Sequence, residues 1–104
     1  MLKIGVFCVA GVSTAVLLHK LQNELSARNM RAELLAAPIA DVFSKGQQMD
    51  VILLSPHARF NFKKVESVYP DKPILLMKNQ DYQKMNTENI VNQLMATLTI
   101  RQAK

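Results

Sequence analysis

The sequence predicts a single α/β domain over residues 1–104, with a four-stranded parallel sheet in the order 2-1-3-4 between two layers of helices. Three observations predict it. Four apolar runs of strand length alternate with segments of helical periodicity. Two of those runs, Val51-Ile52-Leu53-Leu54 and Ile74-Leu75-Leu76-Met77, are apolar throughout, the pattern of strands covered on both faces. The first run passes through a short loop of small residues straight into a helix, the layout of a parallel α/β unit.

Each element follows from local chemistry. Residues 3–7, Lys3-Ile4-Gly5-Val6-Phe7, form the first strand and end at Cys8. A helix over 15–30 carries the stripe Thr14, Leu18, Leu21 and Leu25. The second strand is 31–37. A short helix within 39–48 should stop at Gly46, a residue suited to a helix end. The third strand is 50–54, and a helix over 58–69 follows, with Pro70 just past its end. The fourth strand is 73–77. The last helix has the stripe Thr87, Val91, Leu94 and Leu98. Asn86 or Thr87 caps it, and Glu88 sits near its positive end.

Composition narrows the function. At 104 residues and 49% hydrophobic, the chain can bury a real core. One cysteine excludes an internal disulfide and fits a reducing compartment. The N-terminus lacks the length and cleavage site of a signal peptide, and no apolar stretch approaches the roughly 20 residues that span a bilayer. A cytoplasmic protein, monomeric on its own, is expected. The net charge of +5 raises nucleic acid, membrane surfaces and acidic proteins as partners. The basic residues are dispersed, however, and the one cluster is Arg59-Phe60-Asn61-Phe62-Lys63-Lys64. Aromatics between cations can stack on bases. Phe62, Val65 and Tyr69 also recur at helical spacing, so these aromatics are assigned to the core and no nucleic acid is expected.

Cys8 is the candidate reactive residue. It ends a strand just before Val9-Ala10-Gly11-Val12-Ser13-Thr14-Ala15, where loop amides and a helix start form an anion cradle. A thiol at its centre should lose its proton easily. A nucleophile inside a phosphate site suggests phosphoryl transfer through phosphocysteine. The competing reading is ordinary: a lone cysteine is most often a small buried hydrophobe. The loop is neither a Walker motif nor a dinucleotide fingerprint.

In a parallel sheet the strand C-termini share one edge. That edge gathers Cys8, Ala37-Pro38, Ser55-Pro56-His57 and Lys78-Asn79-Gln80-Asp81-Tyr82. In the order 2-1-3-4, His57 falls near Cys8 and is a candidate auxiliary group, or else a solvent-exposed loop residue. Arg59, Lys63, Lys78 and Lys84 follow strands 3 and 4 and are expected to form a basic rim for a partner.

Over its whole length the chain resembles the enzyme IIB components of the lactose/cellobiose (diacetylchitobiose) family of the bacterial sugar phosphotransferase system. The family pattern at the start is roughly Cys-Ser-Ala-Gly-Met-Ser-Thr-Ser, which Cys8, Ala10, Gly11, Ser13 and Thr14 match. Asp50-Val51-Ile52-Leu53-Leu54 and Lys72-Pro73 match as well. Val9 and Ala15 stand where serines are common, and Ser55-Pro56-His57 replaces a usual Gly-Pro-Gln. The resemblance implies a relay without metal or cofactor. A phosphohistidine on the IIA component phosphorylates Cys8, and a sugar held by the membrane IIC component takes the group. That sugar would be a β-linked disaccharide such as cellobiose, chitobiose or lactose. The backbone amides of residues 9–15, with the Ser13 and Thr14 hydroxyls, would hold the phosphoryl oxygens.

Low-molecular-weight cysteine phosphatases share a similar fold and a loop reading Cys-x5-Arg-Ser/Thr, so hydrolysis is the rival activity. Here Thr14 takes the arginine position and Ala15 the Ser/Thr position, which removes a bidentate phosphate clamp. Asp81-Tyr82 can mimic that family's acid-bearing loop. A non-enzymatic regulatory module with an inert Cys8 is the third reading.

Overall fold

A computed structural model of the chain describes residues 2–8 and 14–102. The order of elements is β1 (Leu2–Cys8), α1 (Thr14–Ala27), β2 (Ala32–Pro38), a 3-10 turn (Ile39–Asp41), α2 (Val42–Lys45), a 3-10 turn (Gly46–Gln48), β3 (Val51–Leu54), a 3-10 segment (Pro56–Asn61), α3 (Phe62–Val68), β4 (Ile74–Leu76), α4 (Asn79–Gln83) and α5 (Thr87–Gln102). The four strands make one parallel sheet in the order β2-β1-β3-β4, as predicted, and every predicted strand boundary lies within one residue of the observed one.

Alternation along the strands divides the core in two. Ile4, Val6, Cys8, Val51 and Leu53 face α1 and α5, against Leu17, Leu21, Leu25, Ile90, Val91 and Leu94. Phe7, Ile52 and Leu54 point the other way, onto Val42, Ala58, Val65 and Tyr69. The period-2 strand pattern thus feeds two helical layers, the reason β3 is apolar at every position.

Helix α1 ends at Ala27, earlier than the predicted 30. Asn29 takes the left-handed conformation at φ 59. Met30 N–H donates to Leu25 O at 2.9 Å, and Asn29 N–H to Ser26 O at 3.0 Å. This is a Schellman close with asparagine in the usual glycine place. The stripe is also rotated by one position: Leu17 is buried, while Leu18 is half-buried beside the core.

Gly46 ends α2 as expected, but not through the left-handed region: it is the C-cap at φ −61, and the chain runs on through a 3-10 turn. Its smallness serves packing. A Cβ there would lie 2.9 Å from Tyr69 Cε2 and 3.0 Å from Cζ. The Tyr69 ring cannot yield easily, because its hydroxyl donates to Val42 O and Phe43 O, both at 2.8 Å.

The segment predicted as one helix over 58–69 splits into a 3-10 part and α3. Pro56 at the first turn, lacking an N–H, suits the tight start after Ser55. At the last helix the cap is Asn86: its Oδ1 accepts from Asn89 N–H at 3.1 Å, and Thr87 is the first helical residue.

Candidate active site

All four strands are parallel, so their carboxyl ends share the edge where such sheets place ligands. Cys8 is the last residue of β1, opposite Pro38 of β2. Ser55 follows β3 on the other side, and its N–H donates to Phe7 O at 3.0 Å. The Cys8 side chain is 2% exposed and faces the α1/α5 layer. The loop residues Val9, Ala10, Gly11, Val12 and Ser13, assigned above to phosphate binding, lie outside the described residues. Thr14 and Ala15 open α1, directly after that loop, and Ala15 is exposed.

Tyr82 is the neighbour that sequence reasoning missed as a site residue. It comes from α4 at the same edge and packs, half-buried, against the core layer that includes Cys8. The position directly after β4 was the available signal, since any residue there reaches the carboxyl edge. His57 is exposed. Its ring meets Tyr82 edge-on, 5.8 Å between centroids at 81°, and its Nδ1 lies 3.4 Å from Ser55 Oγ. Tyr82 therefore adjoins both the predicted auxiliary histidine and the core layer that carries the thiol.

Asp81 faces away from the site. It is buried, and its Oδ2 accepts from Asn89 Nδ2 at 2.8 Å and Gln93 Nε2 at 3.0 Å, both on α5. That carboxylate ties two helices together, so Asp81-Tyr82 does not form an acid-bearing catalytic loop.

Pro56, His57, Arg59, Phe60 and Asn79 line an open cleft of about 260 Å³. Phe60 is 84% exposed, with the Arg59 guanidinium 4.8 Å above its ring, so it lies outside the core to which the aromatics of this cluster were assigned. Phe62 is half-buried, and Val65 and Tyr69 are buried as expected. Lys78 and Lys84 are exposed at the two ends of α4, and Lys63 is exposed on α3. Of the four predicted rim cations, Arg59 lines the cleft, and Lys78 adjoins its Asn79 wall.

Burial pushes the Cys8 thiol above its ordinary value, and the hydrogen bond with Tyr82 opposes that shift. The surroundings described thus act against the easy deprotonation expected from the sequence, because the apolar face removes water from the thiolate. The loop amides invoked to lower it are outside the described residues. The Tyr82 hydroxyl is pushed up by burial first, then by Cys8, and Tyr69 by burial alone. The sign for stability is clear. All three groups hold their protons more tightly when folded, so their contribution is present below the ordinary values and is lost as pH rises. The melting temperature should fall above about pH 9. Circular dichroism melts from pH 7 upward measure this. A Tyr69→Phe variant should show a shallower fall, and equal slopes would contradict the assignment to Tyr69.

The family model described as PTS system, Lactose/Cellobiose specific IIB subunit matches residues 3–93. The chain belongs to this IIB family. The fold agrees. A cellobiose-specific phosphotransferase IIB component from Borrelia burgdorferi is similar at 27% identity and a TM-score of 0.74, covering 96% of this chain and 94% of that one. The lactose-specific IIB component domain from Streptococcus pneumoniae shares the fold at 15% identity and a TM-score of 0.73, covering 88% of this chain and 95% of that one. Membership makes the IIB chain a sugar phosphotransferase component with a phosphoryl-carrier role, working alongside IIA and IIC components in general. Among the described residues no helix is long and apolar enough to cross a membrane.

Proposed function

We propose that Cys8 is the phosphoryl carrier, loaded by a phosphohistidine of the IIA component and unloaded to a sugar presented by the membrane IIC component. The observation that carries this reading is the place of the only cysteine: last in β1, at the carboxyl edge of the sheet, and six residues before Thr14, the first residue of α1. In the first step the Cys8 thiolate attacks phosphorus, the S–P bond forms, and the N–P bond breaks with imidazole leaving. In the second step a sugar hydroxyl attacks phosphorus and gives up its proton, and the thiolate leaves. Transfer of this kind requires donors for the equatorial oxygens, and the amides of Val9, Ala10, Gly11, Val12, Ser13, Thr14 and Ala15 have that role in this reading. The family name and the Borrelia relative favour a β-linked disaccharide such as cellobiose as the acceptor. Incubation with a phosphoryl-donor mixture, followed by mass spectrometry, should place one phosphoryl group on the Cys8 peptide. A group found on another peptide overturns the reading.

The donor arrives carrying a phosphoryl dianion, and the cations after β3 and β4 would steer it. Arg59, Lys63, Lys78 and Lys84 are all exposed. Reversing Lys78 and Lys84 to Glu should slow association with the phosphorylated donor and leave the melting temperature unchanged. The slowing should be largest at low salt, where the Debye length is longest. An association rate equal to that of the wild type at low ionic strength would remove these lysines from the docking surface.

A further inference from the structure

We propose that the outer edge of β2 is a self-association surface, where a second copy of this chain pairs antiparallel about a two-fold axis at Leu35 and joins two four-stranded sheets into one. The proposal is independent of the carrier reading, and it departs from the monomer expected of the chain on its own.

The ladder fixes which backbone groups are available. Leu2 N–H donates to Arg31 O at 3.4 Å, and Asp50 N–H to Lys3 O at 2.8 Å. Even-numbered residues of β1 therefore turn their backbone groups to β2, and odd-numbered ones to β3. In β2, Glu33, Leu35 and Ala37 bond to β1, while Ala32, Leu34, Ala36 and Pro38 turn their groups outward. β2 is the outermost strand, and no described residue pairs with the outward groups of Leu34 and Ala36. An open edge of this kind is a template for another strand. The opposite edge is blunted by its shortness, since β4 has only three residues, against seven in β2. The devices that discourage pairing at β2 stand at its ends: exposed Glu33 near the start, and Pro38, without an N–H, at the finish. Leu34-Leu35-Ala36 between them carries none.

The edge is also self-complementary. Leu35 is 39% exposed and Ala36 is exposed. Together with Phe7, Ala37, Lys45 and Met49 they line an open groove of about 310 Å³ beside the strand. A copy centred on Leu35 sets Leu34 opposite Ala36 of the other chain, on each side of the axis. Both residues have outward groups, so each such pair exchanges two hydrogen bonds. Ala32 N–H falls opposite Pro38 O, which needs no N–H from the proline. Leu35 meets its own counterpart at the axis as a non-hydrogen-bonded pair, the kind whose side chains lie closest. Glu33 and Ala37 share the face of Leu35, and Glu33 of one copy falls beside Ala37 of the other. Lys45 lines the groove with Ala37, so each carboxylate arrives at the lysine of the facing copy. Lys45 meets Asp41 at 3.4 Å within its own chain, an exposed i,i+4 pair that is weak enough to be shared. The two carboxyl edges point in opposite directions in this arrangement, so pairing does not bring the two Cys8 residues together.

Sedimentation velocity of the full chain tests the proposal, with reductant present to prevent crosslinking through Cys8. A single pair of strands makes a small interface, so the concentration series should reach about 1 mM. The wild type should pass from monomer to dimer along it. Leu35→Lys sets two like charges on the axis while its stem still covers the groove, and should weaken association at least about tenfold without lowering the melting temperature of dilute protein. Glu33→Lys and Lys45→Glu should each weaken association, and the double exchange should restore it. Hydrogen exchange at the Leu34 and Ala36 amides should slow as concentration rises. A chain that stays monomeric throughout overturns the proposal and leaves the edge to an extended segment of another protein. A dimer that Leu35→Lys does not weaken, or that the double exchange does not restore, overturns it as well, because the copies then meet elsewhere or in another register.

Discussion

Cys8→Ser should abolish transferable phosphate and sugar phosphorylation while leaving the fold intact. The substitution is nearly isosteric at a buried position. Folding should therefore change little. The chemistry changes greatly, because a neutral hydroxyl without a base is a poor nucleophile and its alkoxide a poor leaving group. A drop of roughly three orders of magnitude or more is expected, equivalent to at least about 4 kcal/mol of barrier. The measurement is sugar-phosphate formation in a reconstituted system, with the melting temperature as the folding control. Normal turnover by the serine variant would end the claim that Cys8 carries the group.

Leu53→Ala should give the largest loss of stability of any single side-chain truncation considered. Leu53 lies in β3, hydrogen-bonded between β1 and β4, in register with Val6 and Leu75. It is 1% exposed and packs in the layer of α1 and α5. Both sheet neighbours are held by the ladder, so the surroundings cannot collapse into the void. Truncation of such a leucine costs about 2–5 kcal/mol, against a total of about 5–15 kcal/mol for an ordinary domain. The midpoint should fall by roughly 10 °C or more. Denaturant unfolding with an unchanged m-value checks it. A loss below about 1 kcal/mol would mean that the layer relaxes around the cavity.

The strands were legible because their signal is local. A run such as Val51 to Leu54 is apolar at every residue, and that happens only where both faces are covered. The parallel pairing followed from alternating strands and helices, and the expected order β2-β1-β3-β4 is what formed. The position of Cys8 at the carboxyl edge was legible for the same reason. Helix ends were harder. Asn29 closes α1 in a left-handed conformation without the glycine that marks such ends, and Gly46 ends α2 in a right-handed conformation, its smallness serving as clearance for Tyr69.

What the sequence alone determined was the class of fold, the four strands and the thiol at the head of the first helix. These depend on periodicities and on a motif within a few residues. Only the tertiary structure decided what surrounds that thiol. Tyr82 packs against the layer that holds Cys8, Asp81 turns to Asn89 and Gln93, and the His57 ring meets Tyr82, because β4 and α5 bring distant segments to one edge. A helix as short as α4 has too little length to show a period, so its existence and direction come from packing rather than from pattern.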